Sequence, residues 1–376
     1  MTISLFFTYG VSLKIWAETG LLTREVRLYH ELMRCYGLQV QFITYGDECD
    51  REWETELQGI KLLPIYERLN LPKSKVLAIL QTLLIPWHFR QELRRTDLLK
   101  TNQMSGSWVA VLSKWFFRKP LLVRCGYEAY KNSLEEDKSN HRRYILRLLS
   151  WLAYLCADHV WLSTHEISEF VQHTFSISSG RITIHPNWID TGQFAPFDKI
   201  KRFKDRILFV GRLSVEKNLP LLFKALQGSN LYLDIVGLGD LGEELEDMAV
   251  NMGLKIQFID RISNDQMPEL YNRYNVYVLC SRYEGNPKTL LEAMSCGCAV
   301  IGTDVSGIRE VIQHESSGLL VSEDHNSLRS AIQRLLTDHS LCRKLGEQAR
   351  QQIEVNNSLE IALSKEYTVY EKLIKQ

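Results

Sequence analysis

The chain carries no surplus charge of either sign: 45 Lys and Arg stand against 45 Asp and Glu in 376 residues. A neutral total leaves no electrostatic footprint for nucleic acid, and no RNA- or DNA-binding motif occurs. There is no CxxC pair. The eight cysteines are scattered, and Cys296 and Cys298, separated by Gly297, suit packing beside a sheet. This excludes a structural zinc site and a disulfide framework, and it implies a reducing, cytoplasmic setting. There is no Asp-x-Asp triplet; the nearest acidic cluster, Asp47-Glu48-Cys49-Asp50, reads as a solvated loop. No apolar run is long enough to cross a bilayer. The longest, Ile145 to Ala157, is interrupted by Arg147 and reads as part of a core helix over His141 to Ala157. The opening MTISLFFTYG turns polar after Phe7, too soon for a secretory signal, and reads as a first buried strand. Repeats and low-complexity tracts are absent.

What is present is a regular succession of short apolar runs and helix-patterned stretches, the signature of a doubly wound α/β chain, with a length that suits two domains. The densest unit spans 276 to 303: VYVLCS, then RYEGNPKTLLEAMSCG, then CAVIGT. It predicts strand, loop, helix, strand. Asn286 can cap the helix, Pro287 suits its first position, and Gly297 stands where a helix is expected to end. The helix start at Lys288, Thr289 and Leu290 then offers free N–H groups and a positive dipole end to an anion. Glu284 precedes the helix and Glu292 lies on it, with seven residues between them. Five helical residues rise about 7 to 8 Å, so one carboxylate can sit on each side of a bound diphosphate.

Upstream, Ile207 to Val210 predicts a strand running into Gly211-Arg212-Leu213-Ser214-Val215-Glu216-Lys217. Gly211 lets a ligand approach the backbone, and Arg212 and Lys217 can converge on phosphate oxygens, one as a planar fork and one as a point charge. Near the N-terminus, Ser4 to Thr8, Leu22 to Tyr36 and Val40 to Thr44 predict a β-α-β unit. The loop VSLKIWAETG lies within it, and Gly10 opens the loop.

These pieces, above all EGNPKTLLEAMSCGCAVIGTDVSGIREVI with its Glu284/Glu292 spacing, resemble the retaining nucleotide-sugar glycosyltransferases of family 4. The resemblance is close from about 205 to 322 and weaker before that. It implies the GT-B fold: two Rossmann-like α/β domains facing each other across a cleft. The expected limits are 1–190 for an acceptor-side domain and 191–357 for a nucleotide-sugar domain, with a helix over 358–376 packing back on the first. HPNWID (185–190) resembles the link between the domains, with Trp188 where a glycine is usual. The implied activity is transfer of a glycosyl group, with retention and without a metal, from a nucleoside diphosphate sugar to a hydroxyl of a sugar or lipid-linked acceptor. No cofactor is implied. Arg212, Lys217 and Glu284 become the expected catalytic residues, with Glu284 on the transferred sugar and Glu292 on the ribose. Gly10, Gly211, Gly285, Asn286, Lys288, Thr289, Leu290 and Glu292 are expected to bind the donor. Relatives commonly use a histidine in the first domain; none of His88, His141, His159 and His165 matches it.

Two rival readings remain at this level. Gly237-Leu238-Gly239-Asp240-Leu241-Gly242 follows a strand and satisfies GxGxxG, with Asp260 further on, which would suit an NAD(P)- or flavin-dependent oxidoreductase. It leaves Arg212, Lys217, Glu284 and Glu292 without a role. The other rival is a binding protein with this fold and no turnover. Between Arg68 and Cys125, eleven Lys and Arg, Lys73 and Lys75 among them, face two acids, Glu92 and Asp97, with tryptophans and phenylalanines interleaved. These are either solvated basic faces around core aromatics, or a face that meets an anionic membrane or a lipid diphosphate. The second would place the protein peripherally on the inner face of a membrane.

Overall fold

A computed structural model describes residues 1–71, 74–135, 139–197 and 199–375, so Lys73 and Gln376 lie outside the described residues. The chain divides into two compact units. One joins Met1–His185 to Leu363–Gln376; the other is Pro186–Ala362.

Among the described residues the first unit holds a seven-stranded parallel sheet: β1 (Thr2–Phe6), β2 (Gln39–Thr44), β3 (Lys61–Pro64), β4 (Leu98–Thr101), β5 (Leu121–Cys125), β6 (His159–Leu162) and β7 (Ile182–Ile184), in the order β3-β2-β1-β4-β5-β6-β7. The second unit holds six parallel strands: β8 (Phe203–Val210), β9 (Tyr232–Val236), β10 (Lys255–Ile259), β11 (Tyr274–Leu279), β12 (Ala299–Thr303) and β13 (Leu319–Val321), in the order β10-β9-β8-β11-β12-β13. Strands such as β11 and β12 are buried along almost their whole length because helices cover both faces of a parallel sheet. In each unit the order reverses beside the first strand, between β1 and β4 and between β8 and β11. Ligands of doubly wound sheets bind beyond the carboxyl ends of the strands at such a reversal.

The sequence locates most elements, and several placements are corrected. The stretch VSLKIWAETG is not an open loop. Leu13–Glu18 is a helix whose Ser12 side chain accepts the Ile15 N–H, and Trp16 is buried against Phe7, ring centroids 4.0 Å apart. Asp50 is not solvated. Its carboxylate is buried and accepts the N–H groups of Leu13 at 3.1 Å and Lys14 at 3.0 Å, and the Thr44 hydroxyl at 2.6 Å. The helix Asn140–Cys156 buries only a narrow face, with Ser150, Ala153 and Tyr154, and exposes much of its apolar surface instead of lodging in the core.

The basic segment is partly neutralised. Lys100 is fully buried and donates to Glu366 Oε2 at 2.8 Å and to the Tyr370 hydroxyl at 2.7 Å, which ties the helix Leu359–Lys375 to β4. Arg124 stands 3.7 Å from Glu25, Arg68 forks onto Glu92 at 2.7 and 3.2 Å, and Lys114 meets Asp158 at 2.6 Å.

Candidate functional site

The residues singled out in the second half of the sequence gather at the reversal point of the second sheet. After β8 the chain runs through Gly211 into the short turn Val215–Lys217. After β11 it runs through Ser281 to Pro287 and into the helix Lys288–Ser295. Backbone and side chain weld the two loops together: Arg282 N donates to Glu216 O at 2.8 Å, and Cys280 Sγ lies 3.3 Å from Lys217 O. Burial pushes the Cys280 thiol up to about 12, so it stays a neutral donor.

Lys217 Nζ donates to Glu284 Oε1 at 2.5 Å, and the Ser281 hydroxyl donates to the same oxygen at 2.7 Å. Both side chains of this ion pair are mostly shielded from solvent, while Arg212, five residues before Lys217 in the same loop, is exposed. Glu292 is buried at 4% exposure. The Tyr271 hydroxyl donates to Oε2 at 2.9 Å, and Lys288 Nζ, one helical turn earlier, lies 2.9 Å from Oε1. Burial, and then the Glu292 charge, hold the Tyr271 phenol well above its usual range, which keeps it a donor to the carboxylate. Thr289 accepts from Tyr277 at 2.8 Å, Leu290 is a core side chain, and Gly285 is half-buried in the loop between the two carboxylates.

Asn286 does not cap the helix. Pro287 occupies the cap position and makes no side-chain cap bond. Asn286 instead faces Asn187, whose N–H donates to Asn286 Oδ1 at 2.8 Å and whose Nδ2 donates to Asn286 O at 2.6 Å. Gly297 ends the helix as expected. It is left-handed at φ +72°, its N–H goes to Met294 O, and the Cys298 N–H goes to Ala293 O, the paired bonds of a Schellman ending.

Glycines explain how closely the loops approach. A Cβ on Gly307 would stand 2.0 Å from Gly285 O and 2.3 Å from Glu284 O, so the loop after β12 braces the backbone that carries Glu284. A Cβ on Gly237 would stand 2.0 Å from Gly211 O, and one on Gly239 2.2 Å from Leu213 O. The GxGxxG turn follows β9, away from the reversal point, and its first two glycines are accounted for by packing against the Gly211–Leu213 backbone. In the first unit, Gly10 has φ +76° with open space about it, a backbone conformation that side chains rarely adopt.

Sequence reasoning missed the supports: Ser281, Tyr271, Tyr277, Asn187 and Gly307. The Lys288/Glu292 pair was legible as an i, i+4 spacing on a helix. Among the described residues no three His, Cys, Asp or Glu side chains group closely enough to hold a metal ion.

Two parallel Rossmann-like sheets, one with a charged site at its reversal point, define a two-domain α/β enzyme architecture of the GT-B type. Residues 195–352 match the model of the family described as glycosyl transferases group 1. An N-acetylgalactosamine-N,N'-diacetylbacillosaminyl-diphospho-undecaprenol 4-alpha-N-acetylgalactosaminyltransferase of Campylobacter jejuni is 30% identical over 265 residues, covering 68% of this chain and 71% of that protein. An uncharacterized glycosyltransferase of Methanocaldococcus jannaschii is 31% identical over 169 residues; the match covers 43% of each chain, so less than half of that relative's length is spanned. Among solved structures, sucrose-phosphate synthase from Thermosynechococcus elongatus superposes with a TM-score of 0.81 at 20% identity, over 100% of this chain and 99% of that one. The chain belongs to the glycosyl transferases group 1 family.

Proposed function

We propose that the protein transfers a glycosyl group from a nucleoside diphosphate sugar to a hydroxyl of a lipid-linked saccharide, with retention at the anomeric carbon and without a divalent metal. The observation that carries this reading is the Lys217–Glu284 pair, built from the loops after β8 and β11 beside the start of the helix Lys288–Ser295. The leaving diphosphate gains negative charge as the glycosidic bond breaks. Lys217, Arg212 and the helix start supply fixed positive potential there, the role a metal ion fills elsewhere. Glu284 then faces the sugar, where positive charge develops on the ring, and Glu292 faces the ribose hydroxyls. Tyr271 and Lys288 hold the Glu292 carboxylate in place for that contact.

The name of a relative supports the acceptor class. The Campylobacter relative is named for a diphospho-undecaprenol substrate. Such an acceptor is presented at a membrane, which would place this protein peripherally on the cytoplasmic face. Titration calorimetry against a panel of nucleoside diphosphates, with NAD as comparison, tests the donor half. Binding of one or more nucleoside diphosphates and none of NAD is expected; the reverse result overturns the reading. The anomeric configuration of the product, read by NMR, tests retention.

A further inference from the structure

We infer that one face of the first unit inserts into an anionic phospholipid surface, through the helix Asn140–Cys156 and the helical layer beside it. This rests on the reading that the acceptor is lipid-borne, but its support is a surface far from the donor residues in sequence. In Asn140–Cys156 the side chains of Tyr144, Leu148, Trp151 and Leu155 recur at i, i+4, i+7 and i+11, and each is between 43% and 70% exposed. A helix packed on a water-soluble surface turns such a stripe inward; this one turns it out.

The neighbouring helices repeat the pattern. Ser107–Phe117 packs against Asn140–Cys156, and Lys114 Nζ pins their ends by donating to Cys156 O at 2.8 Å. It presents Trp115 and Phe116 at 66% and 70% exposure. On its other side it packs against Ile85–His88, and Trp108 Nε1 donates to Thr82 Oγ1 at 2.8 Å, which fixes the helix Lys75–Thr82. There Val76, Leu77, Leu80, Leu83 and Trp87 are exposed. Exposed apolar side chains thus span four neighbouring helices.

The charges select the partner. Asn140–Cys156 contains Arg142, Arg143 and Arg147 and no acid, while Ser107–Phe117 contains Lys114, is followed by Arg118 and Lys119, and has no acid either. Asp158 is occupied by Lys114, and the acids next in sequence, Glu135, Glu136 and Asp137, precede Asn140–Cys156 and are not part of it. Arg90 stacks on exposed Trp87, 5.1 Å from the ring centroid. Apolar side chains, interfacial Trp and Tyr, and the excess of cations carried by these helices match the acyl boundary and headgroups of an anionic leaflet. A second copy of the chain fits less well, because a two-fold contact through this face would bring together two faces with the same excess of arginine.

The test uses the full chain, without donor or acceptor, and vesicles of phosphatidylcholine with or without phosphatidylglycerol. The wild type is expected to sediment with anionic vesicles and to keep part of that binding at high salt. Brominated lipid should quench its tryptophan emission. Leu148→Asp with Trp151→Asp should lower the partition coefficient at least ~10-fold and abolish the salt-resistant part, and Phe116→Asp should act in the same direction. Arg142→Gln with Arg147→Gln should remove only a salt-sensitive part. All variants should melt as the wild type does and bind nucleoside diphosphate unchanged, so a failure here is separable from a failure of the donor reading. Absence of vesicle binding at low salt would overturn the inference, as would wild-type binding by the aspartate variants. So would a concentration-dependent dimer that those substitutions abolish with vesicle binding unaffected.

Discussion

Lys217 and Glu284 stand 67 positions apart in the chain and 2.5 Å apart in space, Nζ to Oε1. The two groups proposed for opposite ends of the donor therefore neutralise each other before it arrives. On the proposed placement, a bound diphosphate would compete with Glu284 for the ammonium, leaving the carboxylate with the Ser281 hydroxyl that already donates to it. Each residue thus sets the other's starting position.

Lys217→Ala should lower turnover on the order of 100- to 1000-fold, the usual cost of one electrostatic donor to a developing anion. It should also weaken binding of the free nucleoside diphosphate. Glu284→Gln should leave that binding nearly intact, because the ligand has no sugar to meet it and Lys217 is released, yet turnover should fall steeply. Glu292→Gln should weaken all ribose-bearing ligands alike. Calorimetry with the free diphosphate, beside turnover with the donor, decides. Lost nucleotide affinity in Glu284→Gln together with retained affinity in Lys217→Ala would refute the placement.

Gly307→Ala should damage activity more than its size suggests. Its Cβ would meet Gly285 O at 2.0 Å and Glu284 O at 2.3 Å, so the carboxylate-bearing loop must move. Overpacking of this kind costs about 1 to 3 kcal/mol. Gly180→Ala is the control, since its Cβ meets only Ser178 Oγ at 3.8 Å. Melting temperature and turnover, measured for both, should fall only for Gly307→Ala.

Turnover should persist in excess chelator if, as proposed, Lys217, Arg212 and the helix start carry the charge that a metal would otherwise supply. Loss of activity restored by Mn²⁺ or Mg²⁺ would overturn this.

Much of the second unit was legible because its strands are short, apolar and punctuated by glycine. Lys217, Glu284 and the helix between Pro287 and Gly297 sit where that pattern put them. Their pairing was not legible, because it depends on β8 and β11 being neighbours although β9 and β10 intervene in sequence. The Asn286 cap failed for a related reason: a residue 99 positions away, Asn187, claims its side chain. In Asn140–Cys156 the helical period was plain, but periodicity does not say which way an apolar stripe faces. Asp50 looked solvated because its partners, Leu13, Lys14 and Thr44, reach it only through the fold.

The last expectation concerns acid. His185 is buried against Trp161, ring centroids 4.6 Å apart, and its Nε2 lies 3.7 Å from Glu366 Oε1. Burial lowers its imidazolium pKa from 6.5 to about 4; the Glu366 charge opposes this, while Arg124, Lys100 and Lys365 add to it. His159 is lowered to about 4 as well, by burial and then by Lys372 and Arg181. A histidine with a depressed folded pKa takes up its proton more readily when unfolded. Its contribution to stability is therefore whole above about 6.5 and drains away as the pH falls toward about 4. Glu366 acts in the same direction at lower pH, since burial would raise its pKa but Lys100 and His185 hold it below the usual value. Comparing a His185 variant with the wild type between pH 5 and 6.5 isolates His185, because the carboxylates that titrate nearby are common to both. His185→Phe, which keeps the stack on Trp161, should hold wild-type stability at pH 7.5 and lose less of it on acidification. Urea unfolding at half-unit steps across that window measures the slope. An unchanged slope in His185→Phe would show that the His185 pKa is not depressed in the folded chain.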